Sequence, residues 1–169
     1  MEEDQNIFKA GYVAIVGEPN VGKSTLLNSF LGQKVSIVAR KPQTTRQRVT
    51  GILSRADAQI IFLDTPGFLK PKYRLHKEMV KHAELAIEDA DVVLAMTVPG
   101  RTEESDHVMQ ERLLPFCREK AILLAINKID TVEPAEVSTT IEYFVQKNIF
   151  KEIIPISALR GDNITKLIQ

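Results

Sequence analysis

A glycine-bounded loop near the start of the chain could hold phosphate groups. Residues 17–24 read Gly-Glu-Pro-Asn-Val-Gly-Lys-Ser and follow an apolar run, Tyr12–Val16, that predicts a buried strand. Glycines at both ends let successive N–H groups point at phosphate oxygens, because no side chain blocks the approach. Lys23 can reach the β- and γ-phosphates, Ser24 can place its hydroxyl on Mg²⁺, and the helix predicted over Ser24–Leu31 offers its positive end. The predicted phosphate-binding residues are Gly17, Glu18, Pro19, Asn20, Val21, Gly22, Lys23, Ser24 and the adjoining Thr25.

A second polar segment could select the base of a nucleotide. Asn127-Lys128-Ile129-Asp130 comes at the end of an apolar run, Ala121–Ile126. An ionised Asp130 can accept both the ring N–H and the exocyclic amine of guanine, whereas adenine would turn a lone pair toward it. Asn127 can hold the base edge and the phosphate-loop backbone, while the stem of Lys128 covers the ring face. Because a mismatched base leaves buried polar groups unpaired, discrimination of about 10⁴-fold in favour of guanine is expected.

The order and spacing of these segments resemble the motifs of the translation-factor-related GTPases. Between them lies Asp64-Thr65-Pro66-Gly67, at the end of a strand predicted over Gln59–Leu63. The resemblance implies that Asp64 reaches Mg²⁺ through water and that the N–H of Gly67 senses the γ-phosphate. It also implies that a last loop contacts the base, with the N–H of Ala158 meeting the guanine carbonyl. That loop is Ser157-Ala158-Leu159, after the apolar run Ile153–Ile156.

A polar stretch after the predicted first helix narrows the resemblance. Residues 41–48 read Lys-Pro-Gln-Thr-Thr-Arg-Gln-Arg and resemble the first switch of the Era family of bacterial ribosome-assembly GTPases. The likeness extends to Pro19-Asn20 and Pro66, and it covers essentially the whole chain. It implies that one threonine coordinates Mg²⁺ and carries its N–H to the γ-phosphate, with Thr45 favoured over Thr44. The implied activity is Mg²⁺-dependent hydrolysis of GTP to GDP, with Lys23, Thr45 and Gly67 as the catalytic groups.

At one position, the residue after Gly67, the chain differs from the signalling GTPases. Phe68 follows Gly67 where many of those enzymes have a glutamine that orients the attacking water, so hydrolysis is expected to be slow or assisted. In relatives of Era an asparagine at the position of Asn20 helps to bind K⁺ against the phosphates, which predicts a K⁺ site here. The alternative is that Asn20 only stabilises the turn after Pro19.

The segment Asn163–Gln169 opens a predicted helix that stops after about two turns. Members of the Era family continue into a KH domain that binds small-subunit ribosomal RNA. The resemblance therefore implies a switch in 30S subunit assembly in which RNA binding belongs to the full-length protein and residues 1–169 have little RNA affinity. Peripheral association of that protein with the inner membrane is left open. The alternatives are a related GTPase of large-subunit assembly or tRNA modification, and a GTP-gated interaction module without turnover.

Composition agrees with one cytoplasmic domain. The chain has 169 residues with 44% apolar content, and its 22 basic and 22 acidic residues cancel, so no overall field attracts RNA or anionic lipid. The lone Cys117 cannot form an intrachain disulfide, and we interpret it as packing or surface. The three histidines, at positions 76, 82 and 107, show no ligand spacing and are expected on the surface. Lys70, Lys72, Tyr73 and Arg74 are interpreted as a solvated basic loop, with contact to RNA or another domain as the alternative.

The elements that must position these residues alternate between strand and helix patterns. Continuous apolar strands are predicted at Tyr12–Val16, Gln59–Leu63, Val92–Val98, Ala121–Ile126 and Ile153–Ile156. Arg48–Arg55 is predicted as an edge strand that turns near Ala56-Asp57 to pair with Gln59–Leu63. Leu85, Ala86 and Ala90 are predicted to face the sheet from a helix, and Glu103–Arg118 to be helical. The result is an α/β fold, a P-loop NTPase of the Ras-like G-domain type by resemblance, whose six-stranded and mostly parallel sheet has helices on both faces.

Overall fold

A computed structural model of the chain describes residues 8–32, 49–63, 65, 67, 74–101 and 103–169. Its strands are β1 Lys9–Gly17, β2 Val49–Ser54, β3 Ala58–Leu63, β4 Val92–Thr97, β5 Ala121–Ile126 and β6 Glu152–Pro155. Its α-helices are α1 Lys23–Leu31, α2 Arg74–Asp89, α3 Glu103–Leu113 and α4 Pro134–Val145. Short 3₁₀ helices occupy Leu114–Phe116, Ile129–Thr131 and Thr165–Ile168.

The six strands form one sheet in the order β2-β3-β1-β4-β5-β6. Only β2 runs antiparallel, pairing with β3 through a turn in which the N–H of Arg55 bonds the carbonyl of Ala58 at 2.7 Å. The predicted six-stranded, mostly parallel sheet with an antiparallel edge strand is therefore confirmed. Because β1 has β3 on one side and β4 on the other, chain order reverses there, which places the loop after β1 at the crevice where such sheets bind ligands.

The sheet is buried on both faces by helices. Alternate residues of each strand point to opposite sides, so Ala14 and Val16 pack toward α2 and α3 while Ile15 packs toward α1. Phe30 of α1 stacks on Phe62 of β3 with ring centroids 5.2 Å apart. Two layers of buried apolar side chains thus fix the strand ends on which the motif residues stand. Within the described part of the chain, no helix is long and apolar enough to cross a membrane.

Three sequence-based predictions about helices were wrong in detail. Leu85 does not face the sheet: it is 41% exposed, because the helix face made by Val80, Ala83 and Ile87 turns inward and leaves Leu85 outside. The helix predicted over Glu103–Arg118 leaves α geometry after Leu113, where Pro115 has no N–H to continue the ladder.

The third difference concerns the last predicted helix. Asn163 has a φ of 59°, in the left-handed region, so helical geometry begins only after it. The N–H groups of Lys166 and Leu167 then bond carbonyls three residues back, at 3.2 and 3.1 Å, and form a 3₁₀ turn. A single short turn gains too few i→i−4 bonds to offset the cost of starting an α-helix.

Candidate nucleotide-binding site

The phosphate loop leaves β1 at Gly17 and enters α1 at Lys23. Gly22 caps the helix with a φ of 100°, and a Cβ there would collide with the side-chain amide of Asn127. A glycine is therefore required at this position by both its torsion and its neighbour. The first N–H groups of α1 then face the loop, where an anion is favoured. Ser24 and Thr25 are exposed in the first turn, as their predicted contact with phosphate and Mg²⁺ requires.

Lys23 lies over the loop that it terminates. Its ammonium donates to the carbonyls of Gly17 at 2.9 Å and Glu18 at 2.7 Å, so the side chain is folded back along the loop. This places the cation among the backbone groups that were predicted to bind phosphates. Val21 is buried at the centre of the loop, whereas Pro19 and Asn20 are exposed at its tip. Asn20 has a φ of 65°, a conformation that asparagine tolerates better than most side chains.

Gly67, from the third motif, lies directly against the phosphate loop. A Cβ at this position would come within 2.8 Å of the backbone nitrogen of Pro19 and 2.9 Å of its ring. Thr65, two residues earlier, is buried, and its hydroxyl donates to the carbonyl of Ile15 at 2.5 Å. The hydroxyl therefore anchors the segment after β3 to β1. The sequence did not predict this role for Thr65.

A cavity of about 120 Å³ lies beside the start of α1. Lys23, Ser24 and Thr65 contribute polar groups to its wall, and Ile15 and Leu27 are among its apolar lining. Hydroxyl oxygens suit Mg²⁺, which keeps several waters and takes few protein ligands when it binds with phosphates. Among the described residues, no three His, Cys, Asp or Glu side chains cluster into a metal site. The donor set here thus fits a magnesium ion carried largely by a phosphorylated ligand.

The base end is assembled around Asn127, which is 2% exposed at the end of β5. Its amide nitrogen donates to the carbonyl of Val21 at 2.8 Å, and its amide oxygen accepts from the N–H of Ala158 at 2.9 Å. One side chain therefore joins the phosphate loop to the loop after β6, 106 residues apart in the first case and 31 in the second. The predicted contact of Asn127 with the phosphate-loop backbone is present.

Asp130 is held by the neighbouring loop. The hydroxyl of Ser157 donates to its Oδ1 at 2.6 Å, and the guanidinium of Arg160 lies 3.8 Å from Oδ2. The hydrogen bond from Ser157 lowers the pKa of Asp130 below its ordinary value, and Arg160 contributes in the same direction. The carboxylate is therefore ionised at neutral pH, as the predicted recognition of two guanine N–H groups requires.

Lys128 and Leu159 stand at the rim of the same site. Lys128 has a φ of 65°, and its ammonium donates to the carbonyl of Asn20 at 2.7 Å, so its stem crosses from the base segment to the phosphate loop. Leu159 is 80% exposed next to the buried Ala158. An apolar side chain exposed to this degree can cover the second face of a planar ring.

Other predicted residues divide into three groups. His82 and His107 are exposed, as predicted, and Cys117 is half-buried, with its Sγ donating to the carbonyl of Leu114 at 3.1 Å. Arg74 is exposed at the start of α2. The remaining predicted positions lie outside the described residues, or have side chains that do: Thr44, Thr45, Asp64, Pro66, Phe68, Lys70, Lys72, Tyr73 and His76.

An acidic and basic cluster beside the phosphate loop was not predicted. The guanidinium of Arg101, from the loop after β4, pairs with the carboxylate of Glu18 and donates to the carbonyl of Pro19 at 3.4 Å. Asp106 of α3 is 6% exposed close to this pair. The pKa of Asp106 is raised to about 6, first by burial and then by repulsion from Glu18, while Arg101 and Lys147 oppose the rise. The contacts of Arg101 with Glu18 and Pro19 span more than 80 residues, and no local pattern indicates them.

Comparisons with known proteins agree with this geometry. A model of a family described as 50S ribosome-binding GTPases matches residues 12–128. GTPase Era of Clostridium tetani is 44% identical over 165 residues, which make up 96% of this chain and 55% of that relative. Two solved structures are similar as well. Era in complex with MgGDPNP and nucleotides 1506–1542 of 16S ribosomal RNA has a TM-score of 0.80 at 46% identity, and a variant of Aquifex aeolicus Era bound to GDP and AlF4⁻ has 0.79 at 45%.

Each of these structures covers 95% of this chain, which in turn covers 55% of theirs. The chain thus spans about half the length of the curated relatives that it matches.

Proposed function

This chain belongs to the family of ribosome-binding GTPases, and we propose that it binds GTP and GDP with Mg²⁺ and hydrolyses GTP to GDP and phosphate. The observation that carries the proposal is the pair of hydrogen bonds made by Asn127, which joins the phosphate loop to the base loop. With Asp130 ionised beside it, the site offers two acceptors to guanine at a fixed distance from a phosphate cradle. Similarity to Era bound to MgGDPNP supports both the nucleotide and the metal.

The proposed reaction is attack of water on the γ-phosphoryl group. Positioning and charge stabilisation supply nearly all of the catalysis in such transfers. Here the N-terminal N–H groups of α1 and the ammonium of Lys23 would face the phosphates. Ser24 and, outside the described residues, Thr45 and Asp64 would hold the Mg²⁺. The ion would supply charge neutralisation for the phosphates when it is bound.

The proposal includes activation by K⁺ at Asn20. Phe68 cannot orient the attacking water, so hydrolysis is expected to be slow or assisted, and a cation beside the phosphates would assist it by stabilising the charge that develops there. Asn20 supports this role because it is exposed at the tip of the loop, where its amide oxygen can meet a cation beside a phosphate. Its φ of 65° equally supports the alternative, a turn residue with no cation.

Single-turnover hydrolysis of GTP in KCl and in matched NaCl tests both the proposed hydrolysis and its proposed activation by K⁺. We expect turnover of GTP but not ATP, and a higher rate in KCl. The informative variant is Asn20→Gly, because glycine keeps the positive φ while removing the amide. Loss of the K⁺ stimulation in this variant would support Asn20 as a ligand. Stimulation that persists in Asn20→Gly would assign Asn20 to the turn alone, and rates indifferent to K⁺ would remove the cation from the proposal.

The cellular role that we propose is a GTP-controlled switch in 30S ribosomal subunit assembly in the cytoplasm. GTP and GDP make different contacts with the γ-phosphate-sensing residues, which is the condition for a nucleotide to bias a conformation. Similarity to Era bound to 16S ribosomal RNA supports the small subunit as partner. The RNA-binding surface would belong to a KH domain of the full-length protein. Retention of 16S RNA on a filter by residues 1–169 alone would contradict that division.

Two alternatives have an observation in their favour. The description of the matched family names the 50S subunit, which favours a role in large-subunit assembly. Phe68 favours a module that binds GTP without turnover. Co-sedimentation of the full-length protein with separated 30S and 50S subunits distinguishes the first alternative. The single-turnover measurement above decides the second, because a binding module would retain GTP without releasing phosphate.

A further inference from the structure

An arginine outside the nucleotide motifs holds the phosphate loop. Arg101 lies four residues after the end of β4, and its guanidinium contacts two successive loop residues. It pairs with the carboxylate of Glu18, and its Nη2 donates to the carbonyl of Pro19 at 3.4 Å. The side chains of Arg101 and Glu18 are 27% and 18% exposed, so the pair is partly shielded from water. Such a contact is stronger than a fully exposed pair.

The charge of Glu18 gives this contact a consequence for ligand binding. Glu18 belongs to a loop proposed to hold a polyanion, and an uncompensated carboxylate there would repel phosphates. Asp106 adds a second carboxyl close by, with its pKa raised to about 6, so at neutral pH it is mostly charged. Arg101 and then Lys147 act on Asp106 in the opposite direction and lower its pKa. Within the described residues, Arg101 thus pairs directly with the loop carboxylate and offsets its charge.

The contact with Pro19 extends the effect to the third motif. Gly67 lies so close to Pro19 that a Cβ would come within 2.8 Å of the proline nitrogen. Pro19 therefore lies beside Gly67, whose N–H was predicted to sense the γ-phosphate, so its position limits the space available to Gly67.

We propose that Arg101 is a positioning residue for the nucleotide, which fixes the tip of the phosphate loop and cancels the charge of Glu18. The inference rests on the proposed function, because it assumes that the loop binds the phosphates of GTP and GDP. The ligand chemistry concerned is the α- and β-phosphates, which the two nucleotides share.

A double-mutant cycle on fluorescent GDP binding tests the inference in 50 mM salt. We expect Arg101→Met to weaken GDP binding about tenfold. The unpaired carboxylate of Glu18 then repels the phosphates, and 50 mM salt screens this repulsion only in part. Glu18→Gln alone leaves the charge of Arg101 uncancelled and is expected to tighten binding about threefold. The double variant is expected within about threefold of the original affinity.

The salt dependence of GDP affinity distinguishes an electrostatic role of Arg101 from a purely structural one. Screening lengths fall from about 10 Å at 0.1 M to about 3 Å at 1 M, so the deficit of Arg101→Met should shrink as salt rises. A purely structural role would leave the deficit equal at all salt concentrations and unrescued by Glu18→Gln. Arg101→Lys should retain most of the affinity, because it keeps the charge. It also serves as the folded variant if Arg101→Met is unstable.

Arg112→Met is the matched control. Arg112 pairs with Glu84 at 2.6 Å, with side chains 30% and 35% exposed, but on α3 and α2 away from the phosphate loop. Its loss should leave GDP affinity unchanged. The inference is overturned if Arg101→Met binds as well as Arg112→Met, if Glu18→Gln weakens binding, or if the double variant stays as weak as Arg101→Met. Failure of the original chain to bind guanine nucleotides would instead overturn the proposed function, and the inference with it.

Discussion

At the base end of the site, side chains bond across two loops, whereas the phosphate loop also lies against Gly67 and is paired through the charge of Glu18 with Arg101. Asp130 already accepts from Ser157, and Asn127 already joins two loops. At the phosphate end, Lys23 donates to the carbonyls of its own loop. If the ammonium binds phosphate as proposed, it exchanges those bonds for bonds to the ligand. The base end is thus organised without a ligand, and the phosphate end is expected to rearrange when a phosphate binds.

This difference assigns separate tasks to the two ends. A rigid array of acceptors discriminates between bases, because a wrong donor pattern cannot be accommodated by movement. A loop whose bonds are exchanged on binding can respond to the number of phosphates present. Changes at the base end should therefore alter which nucleotide binds, and changes at the phosphate end how tightly every nucleotide binds.

Asp130→Asn should produce the largest effect. An amide at this position offers N–H donors to the guanine amine, which is itself a donor, so GTP affinity should fall by about 10³-fold. Xanthine has a carbonyl in place of that amine and should gain affinity. Displacement of a bound fluorescent nucleotide by XTP and by GTP measures this change in base preference. If the two ends are independent, the variant should hydrolyse bound XTP at the rate at which the original chain hydrolyses GTP.

Asp162→Asn is the control for this exchange, because Asp162 is an exposed carboxylate in the neighbouring loop after β6, which also supplies Ser157. It should leave base preference unaltered. Equal loss of GTP and XTP binding in Asp130→Asn would show that the substitution disrupts the loop, and would break the separation of tasks.

Asn127→Ala should damage both ends together. It removes the partner of the Val21 carbonyl and of the Ala158 N–H in a site where the side chain is only 2% exposed. Two backbone groups left without that partner are expected to lower the free energy of unfolding by about 2 to 4 kcal/mol. Urea denaturation, with GDP affinity measured on the same protein, tests this. Thr139→Ala is the control, since it removes an exposed side chain to backbone bond of 3.0 Å and should cost under about 0.5 kcal/mol.

A loss of affinity without a loss of stability would contradict the structural role given to Asn127. It would mean that the amide serves only the ligand and that the two loops are held by other contacts.

The two ends also differ in how far they could be predicted. Residues of the base end follow apolar strands directly, so local patterning placed Asn127 and Asp130 at the correct edge of the sheet. The same reasoning placed the phosphate loop between β1 and α1. The partner of Asp130 was not predicted as such, because Ser157 lies 27 residues away and its bond depends on how the loop after β6 closes.

The cluster at the phosphate end could not be predicted for a physical reason. Arg101 and Glu18 are 83 residues apart and meet only because β1 and β4 are neighbours in the sheet. Asp106 lies in a polar stretch of α3 that carries no strong apolar stripe, so its burial had no signal in the sequence. Periodicity indicates which side of an element is buried, but it does not identify side chains that meet from distant segments.

Asp106→Asn should have the smallest effect of the three substitutions. Its effect on the free energy of unfolding should depend on pH. The ordinary pKa of 3.8 rises to about 6 in the fold, mainly through burial and then through Glu18. The folded chain therefore binds this proton more tightly than the unfolded chain, so stability is lost as pH rises from about 4 to about 6 and stays lost above that. The variant cannot ionise there and should be more stable by about 2 to 3 kcal/mol at pH 7.5, at 1.36 kcal/mol per unit of pKa.

Urea denaturation of both proteins between pH 4 and pH 8 tests this expectation. The difference in free energy of unfolding should grow through the window from about 4 to about 6 and then level off. Lys147 and Arg101 oppose the rise in the pKa of Asp106, so Arg101→Met should raise that pKa further and shift the upper end of the window to higher pH. A difference that is the same at every pH would show that the fold does not shift the pKa of Asp106. Asp106 would then be ionised beside Glu18 throughout this range, and the contrast between the two ends would rest on Lys23 and Arg101.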